Sequence, residues 1–155
     1  MQRVETVAGV REATVVMSLP TTAIMQTNVK VEGQPPVDPR EQPSAQIQSI
    51  TPGYFHTLGI PLRRGREFVA RDNARGAPPV VIINESFARR FWPDYPRGRN
   101  PVGQHMGEGA DKLDAAEIVG IAADIHERSL AANARPEFYV PCVVHPSQLH
   151  STGNA

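Results

Sequence analysis

The chain has 155 residues, and Lys plus Arg balance Asp plus Glu at 16 each, so its formal net charge is zero. This length suits one domain or two small lobes, and the balanced charge argues against a general nucleic-acid binder, which is usually basic. The single cysteine, Cys142, excludes an intramolecular disulfide, and no run approaches the roughly 18 to 20 apolar residues that span a bilayer.

The first third of the chain combines short strands with a proline-rich loop. Residues 4–7 are typical of a helix end, and residues 13–19 (ATVVMSL) of a β-branched strand. Residues 28–32 and 45–50 alternate apolar with polar side chains, which predicts two half-buried strands. The four prolines of residues 33–43 predict a loop between them.

The segment ITPGYFHTLGIPLRRGREF has the pattern of a short helix with a defined start and stop. Thr51 is expected to cap the helix, with Pro52 at the first helical position, where its missing N–H is not needed. Gly59 is expected to adopt the left-handed conformation that ends the helix. Phe55 and Ile60 would then form the hydrophobic pair of a Schellman motif.

The next segments lead into the most apolar run of the chain. Residues 61–68 are expected to be extended, and residues 71–79 to form a polar loop. Residues 80–83 are VVII, four consecutive aliphatic residues, which predict a central strand buried on both faces.

A second helix is expected directly after this strand. Asn84 is the predicted N-cap, and Glu85 places a carboxylate in the first turn, where the helix dipole favours it. Phe87 and Phe91 share one face, which predicts that they pack in the core, and Pro93 ends the helix.

A turn and another strand follow the second helix. NPVG at residues 100–103 fits a β-turn with Pro101 at its second position. Residues 117–123 predict a strand in which Gly120 marks a bulge or a close contact.

The last predicted strand covers residues 138–144, and Pro141 makes it an edge strand or places a strand end there. Residues 145–155 are polar. The whole chain is therefore expected to be mixed α/β and dominated by short strands, with one clear helix and two or three shorter ones.

A metal site is one candidate for chemistry. Asp124, His126 and Glu127 follow a predicted strand and bring three potential ligands together. A solvated loop is the favoured interpretation, because no distal or supporting partner is evident. No two of the five histidines have the i, i+4 spacing of a helical zinc motif.

Two further motifs suggest catalysis only superficially. GEGADK at residues 107–112 lacks the full G-x-x-x-x-G-K-S/T pattern of a phosphate loop and a following helix, so a hairpin turn is favoured. Ser86 could be a nucleophile, yet no G-x-S-x-G elbow surrounds it, and a place in the first turn of the capped helix is favoured.

Two groups of arginines could face an anionic partner or lipid headgroups. The favoured alternative is that they are solvated faces offset by nearby carboxylates. The arginines are Arg63, Arg64 and Arg66, then Arg89, Arg90, Arg97 and Arg99, and the carboxylates are Glu67, Asp72, Glu85 and Asp94.

The order of these motifs is more specific than any one of them. The succession of ITPGYFHTLGIPLRRGREF, VVIINESFARRFWP, NPVGQHM, EIVGIAADIHE and RPEFYVP resembles the MacB-like periplasmic core domain of ABC-transporter permeases, in the FtsX-like permease superfamily. The resemblance covers residues 4–141. The remaining CVVHPSQLHSTGNA departs from the family, which would continue through a strand, a helix and transmembrane segments.

The resemblance implies an α+β fold of small mixed sheets and short helices, with part of a porter-type βαβ unit and a smaller inserted mixed α/β lobe. Residues 1–144 would be a partial periplasmic core domain, with the inserted lobe at about 45–141 and a disordered tail at 145–155. The domain would lie on the extracytoplasmic face of a bacterial inner membrane, between the first two transmembrane helices of the permease. Expressed as this chain, it would be soluble.

The resemblance also implies a domain without catalytic residues, cofactor or metal, which couples transmembrane motion to substrate export or to a periplasmic partner. The implied partners are the remaining transmembrane segments of the permease, an ATP-binding subunit or domain and a periplasmic adaptor, in a dimeric transporter that binds no nucleic acid. The residues expected to hold its shape are Gly53, Tyr54, Phe55, Leu58, Gly59, Gly65, Arg66, Phe68, Asn84, Phe91, Trp92, Pro101, Gly103, Gly120 and Pro141. Leu58 is expected to lie in packed space, so that Leu58→Asp would destabilise the fold.

Two alternatives come from other functional classes. The first is a free-standing small-molecule or metal-binding enzyme that uses Asp124, His126 and Glu127. The second is a soluble interaction module that docks a protein partner through the two arginine groups.

Overall fold

The computed structural model describes residues 25–35, 37–38, 40–108, 116–125 and 134–142. The predicted helix end at 4–7, the strand at 13–19 and the polar tail at 145–155 lie outside the described residues. So do His126, Glu127 and most of the predicted turn at 107–112.

Short strands and two short helices make up the described part of the chain. In chain order they are β1 (Met25–Val31), β2 (Ser44–Ile50), α1 (Tyr54–Thr57), β3 (Leu62–Gly65), a 3₁₀ turn (Ala70–Asn73), β4 (Val80–Asn84), α2 (Glu85–Phe91), β5 (His105–Glu108), β6 (Ala116–Ala122) and β7 (Glu137–Pro141). The predicted α+β class is confirmed.

The strands form one mixed sheet in the order β3-β6-β4-β7-β2-β1-β5. The β4–β6 and β2–β7 pairs are parallel, and the others are antiparallel. Because β5 also pairs with β6, six strands form a closed ring of pairings, and β3 is added to the outside of β6. The predicted small sheets are thus joined into one.

The predicted central strand is confirmed as β4, which lies between β6 and β7 and is buried along all five residues. Its side chains alternate between two cores, because successive residues of a strand point to opposite faces. Val81 and Ile83 enter one core, while Val80 and Ile82 enter the other. This double burial explains the run of four aliphatic residues.

The first core joins one face of the sheet to α2. Its buried members are Val29, Val31, Ala45, Val81, Ile83, Phe87, Ala88, Phe91, Trp92, Tyr95, Met106, Ile118, Ile121 and Phe138. The second core joins the other face to α1 and contains Ile50, Tyr54, Phe55, Phe68, Val80, Ile82, Val119, Ala122 and Tyr139.

Several predicted boundaries differ from the structure. Only Leu62–Gly65 of the extended segment 61–68 pairs as a strand, and the polar loop 71–79 begins inside the 3₁₀ turn. The last strand, β7, ends at Pro141 as one prediction allowed, but it lies inside the sheet between β4 and β2 rather than at an edge.

The predicted NPVG turn lies one residue later than expected. The Gln104 N–H donates to Pro101 O at 3.0 Å, so the turn covers 101–104 and Pro101 is its first residue. Gly103 has φ +89°, which fits the third position of a type II turn. The Asn100 side chain instead accepts from the Val102 N–H at 3.2 Å, an Asx-type contact that competes with the expected turn.

Candidate functional site

The start of α1 differs from the prediction. The helix begins at Tyr54, and its N-cap is Gly53 in the left-handed conformation, with φ +84° and no side-chain cap. The Tyr54 N–H donates to Thr51 O at 3.3 Å, so Pro52 and Gly53 are the middle residues of a type II turn. Thr51 is therefore not the N-cap, because this turn occupies the position where the first helical residues were expected.

The stop of α1 is confirmed as a Schellman motif. The Ile60 N–H donates to Phe55 O at 2.8 Å, and the Gly59 N–H donates to His56 O at 3.1 Å. These are the two bonds that define the motif, and Gly59 has the φ of +67° that it requires.

An aromatic cluster attaches α1 to the sheet. The Phe55 and Tyr139 rings meet edge to face with centroids 4.8 Å apart, and Tyr54 contacts both of them. Phe68 is buried in the same core. The importance of Tyr139 was missed, since nothing in the sequence of β7 specifies which neighbour its side chain meets.

Leu58 does not belong to this cluster, and its predicted burial is wrong. Its side chain is 50% exposed, because it lies on the solvent side of a helix only four residues long. The Schellman motif fixes Phe55 against the core, and Leu58, three positions later at the C-cap, turns outward.

A pair of glycines lets β3 approach β6 closely. Gly65 and Gly120 are register partners in this antiparallel pair. A Cβ on Gly120 would lie 2.5 Å from Arg66 O, and a Cβ on Gly65 would overlap Val119 O. The β4–β6 register also shifts here, so both predicted roles of Gly120, bulge and close contact, are confirmed.

Arg66 follows this contact and binds Asp72 of the 3₁₀ turn through a two-pronged ion pair. Its Nη1 lies 2.7 Å from Asp72 Oδ2, and its Nη2 lies 3.2 Å from Oδ1. The hydrogen bond from Arg66 is the main cause that lowers the pKa of Asp72 below its ordinary value. The Asp72 carboxylate also accepts the Val69 N–H, so it fixes the chain after β3 as well.

Asn84 is confirmed as the N-cap of α2 and does more than cap it. Its Oδ1 accepts both the Phe87 N–H, at 2.9 Å, and the Glu137 N–H, at 3.0 Å. Its Nδ2 donates to Arg135 O at 2.8 Å. Asn84 is 1% exposed, so this side chain joins the start of α2 to the start of β7 inside the protein.

The core-facing side of α2 is as predicted. Phe87 and Phe91 are buried with ring centroids 4.6 Å apart, and Trp92 packs on Phe91 at 6.4 Å. These rings cover the face of the sheet opposite α1.

A chain of alternating charges lies on the exposed side of α2. Glu85 pairs with Arg63 at 3.4 Å and with Arg89 at 3.3 Å, and Arg89 pairs with Asp124 at 3.1 Å. Ser86 donates to Asp124 from both its backbone N–H and its Oγ, at 2.8 Å each. Asp124, just after β6, therefore binds the N-terminus of α2, an arrangement that the spacing in sequence could not indicate.

These contacts give Asp124 and Ser86 structural partners. The Asp124 carboxylate is used by Ser86 and Arg89, and Ser86 lies in the first turn of α2 as favoured. Within the described ranges, no group of three His, Cys, Asp or Glu side chains could hold a metal ion. His126 and Glu127, the other two proposed ligands, lie outside those ranges.

The first arginine group is divided among different partners. Arg63 pairs with Glu85 and Arg66 with Asp72, while Arg64 donates to Pro96 O at 2.5 Å and lies 5.5 Å from the centre of the Tyr95 ring. The predicted neutralisation by Asp72 and Glu85 is confirmed for these two pairs.

None of the helices in the described part of the chain is both long enough and apolar enough to cross a membrane.

Most of the predicted shape-holding residues lie in three places: the α1 stop with its aromatic cluster, the β3–β6 contact with Arg66, and the Asn84 junction with the rings of α2. Pro101 and Gly103 lie in the turn before β5, and Pro141 is the last residue of β7.

Known structures share this fold. The periplasmic region of MacB from Actinobacillus actinomycetemcomitans matches with a TM-score of 0.60 and 16% identity, over 99% of this chain and 57% of that one. The extracellular domain of the noncanonic ABC-type transporter YknZ from Gram-positive bacteria matches with a TM-score of 0.58 and 18% identity, over 90% of this chain and 59% of that one.

This chain thus spans less than two thirds of either structure. No curated protein matches it. The family model for the MacB-like periplasmic core domain matches residues 2–154, so the chain belongs to the MacB-like periplasmic core domain family.

Proposed function

We propose that this chain is a non-catalytic, extracytoplasmic domain of an ABC transporter permease, which transmits the motion of transmembrane helices to an exported substrate or to a periplasmic partner. Its partners would be the remaining transmembrane segments and an ATP-binding subunit or domain, with a periplasmic adaptor, in a dimeric transporter. Family membership supports the location, and the geometry of the sheet supports the mechanical role.

The observation that carries the proposal is the relative position of β1 and β7, the first and last strands of the described residues. Met25, the first residue of β1, is in register with Ile47 of β2, which is in register with Phe138 of β7. Because β7 runs parallel to β2 and β1 runs antiparallel to it, β1 begins at the end of the sheet where β7 finishes. Met25 is thus level with Phe138, about two strand spacings or 10 Å away, and β7 continues from Phe138 for three residues to its end at Pro141.

This arrangement suits a lobe inserted into a longer chain. The start of β1 and the end of β7 point to the same end of the sheet, so a movement of that end would carry the whole lobe with it. The strands of the expected lobe at about 45–141 form one sheet, and β1 belongs to that sheet as well. We therefore propose that β1 moves as one body with the lobe at about 45–141.

A domain that transmits motion must also be rigid. The six-stranded ring has a core on each face, α2 covers one of these cores and α1 covers the other. Packed cores and sheets move as bodies rather than deforming continuously, as in hinge and shear motions.

The side chains that could have supplied chemistry favour a passive role. Ser86, Asp124 and Arg89 are bonded to one another at the start of α2, in an arrangement that stabilises a helix terminus.

The test uses the complete permease that contains this chain, in cells that lack the native gene. Ile82→Asp puts a charge at a fully buried position, and Leu58→Asp is its matched control, because Leu58 is 50% exposed. We expect Leu58→Asp to support export like the parent protein. Ile82→Asp should abolish export while ATP hydrolysis by the ATP-binding component in membranes persists, because hydrolysis occurs elsewhere.

Normal export by Ile82→Asp, with the same amount of protein in the membrane, would refute the mechanical role. Hydrolysis of ATP or of any test substrate by the purified chain would refute the non-catalytic role. Flanking coding sequence without transmembrane helices would refute the location.

A further inference from the structure

A groove on the α2 side of the molecule has no role in the proposed function. It has a volume of about 590 Å³ and runs between β1, the proline-rich loop and the end of α2. This volume lies within the range of small-molecule sites, roughly 300 to 1,000 Å³.

The groove is mainly apolar. Its floor is formed by Val29, Val31 and Phe91, which belong to the first core, and its walls by Pro35, Val37 and Pro43. Val37 is 45% exposed. An aliphatic or aromatic body inserted here would cover Val37 and continue the packing of the core.

The charges around the groove favour an anion. Lys30 and Arg90 line it, and the Arg99 guanidinium reaches its rim, where Nη1 would lie 3.9 Å from a Cβ built on Gly33. Glu32 is the one carboxylate among the described lining residues, and its Oε2 lies 2.9 Å from His105 Nδ1. Cations thus outnumber carboxylates at the mouth of an apolar groove.

Two glutamine side chains provide polar anchors in the same walls. Gln34 donates from Nε2 to Phe91 O at 2.8 Å, which fixes the proline-rich loop to the end of α2. Gln42 Oε1 is buried and accepts no hydrogen bond from the described residues.

We propose that this groove binds a small amphipathic organic anion, with an apolar body on Val29, Val37 and Phe91 and a carboxylate facing Arg90 and Arg99. An apolar cleft with a few convergent polar groups is the usual form of a small-molecule site. The site belongs to the folded lobe and does not depend on the coupling role.

The protein carries its own reporter for this site. Trp92 is the single tryptophan of the chain, and its ring packs on Phe91, which forms part of the floor. A ligand on Phe91 should therefore change the tryptophan emission. The test titrates the full 155-residue chain with decanoate below its micelle concentration, followed by Trp92 fluorescence and calorimetry.

Decyltrimethylammonium, with the same chain length and the opposite charge, is the matched ligand control. We expect saturable one-to-one binding of decanoate, and binding of the cation weaker by about tenfold or more. Arg90→Gln should weaken decanoate binding by about two- to fivefold, because an exposed ion pair contributes little. Val37→Asp should abolish binding, since it adds a like charge to the wall.

Arg97→Gln is the matched control for Arg90→Gln, because Arg97 is also an exposed arginine but does not line the groove. It should bind decanoate like the parent. Equal binding of both ligands, unchanged affinity in Arg90→Gln or non-saturable binding would overturn the proposal. If Val37→Asp does not fold by circular dichroism, the comparison of Arg90→Gln with Arg97→Gln decides.

Discussion

The closeness of β3 to β6 predicts that Gly120→Ala destabilises the protein, although Gly120 has an ordinary negative φ. The added Cβ would lie 2.5 Å from Arg66 O, about 0.9 Å short of an ordinary contact at 3.4 Å. A displacement of β3 by that amount would break the bond from the Arg66 N–H to Val119 O, now 2.9 Å long. Overpacking of about 1–3 kcal/mol and one lost hydrogen bond of about 1 kcal/mol give an expected loss of about 2–4 kcal/mol.

Two other glycine substitutions separate crowding from backbone strain. Gly59→Ala has a positive φ of +67° but nothing within 4 Å of the new Cβ, so it should lose only about 1 kcal/mol. Gly65→Ala combines a φ of +74° with an overlap on Val119 O and should lose the most. Urea unfolding followed by Trp92 fluorescence measures all three. A loss below about 0.5 kcal/mol for Gly120→Ala, or equal losses for all three, would refute the reasoning.

Three further predictions use the same unfolding assay. Phe55→Ala should lose about 3–5 kcal/mol, whereas Leu58→Asp should stay within about 0.5 kcal/mol, and a large loss for Leu58→Asp would contradict its exposure. Asn84→Ala should lose about 2–3 kcal/mol, because two N–H groups lose their acceptor, and Asn84→Asp should recover part of it. The pKa of Asp72 is lowered in the folded protein, so the stabilisation by its ionised carboxylate is complete above the ordinary value of 3.8 and is lost as the pH falls through the lowered pKa. Asp72→Asn should therefore flatten the dependence of unfolding free energy on pH in that acidic range. An unchanged pH dependence would show that the Arg66–Asp72 pair does not contribute to it.

Local sequence rules predicted the features that depend on neighbours along the chain. The Schellman stop requires only a glycine at C′ and hydrophobic residues at fixed offsets, and Gly59 with Phe55 and Ile60 supplies them. The N-cap Asn84 and the buried strand β4 are local in the same sense. Each was therefore readable from a few consecutive residues.

The start of α1 shows where a local rule gives two answers. Thr51 followed by Pro52 fits a capped helix, and Pro52 followed by Gly53 fits the centre of a type II turn. Gly53 adopts φ +84°, so the turn forms and the helix starts two residues later. The prediction that Leu58 is buried was wrong for a related reason. A four-residue helix has one buried side, and Tyr54 and Phe55 occupy it.

Contacts between distant segments were beyond sequence reasoning. The ring closes because β5 pairs with both β1 and β6, and no periodicity of residues 105–108 specifies two partners. Asp124 was considered as a metal ligand because of its neighbours in sequence, whereas its carboxylate binds Ser86, 38 positions earlier. The Gly65–Gly120 contact needed the register of β3 on β6, which only the fold provides.

The elements outside the ring are held to it by different forces, and this difference bears on the proposed mechanical role. Aromatic packing holds α1, backbone bonds and two glycines hold β3, and exposed ion pairs at Arg63, Arg89 and Asp124 contribute to holding α2. Salt screens exposed pairs but not apolar packing, so high ionic strength should loosen the polar side of α2 first. β1 and β7, the first and last strands of the described residues, are both in the ring. Transmission along them should therefore survive in high salt, and export that fails in step with the loss of these ion pairs would place the mechanical connection at α2 instead.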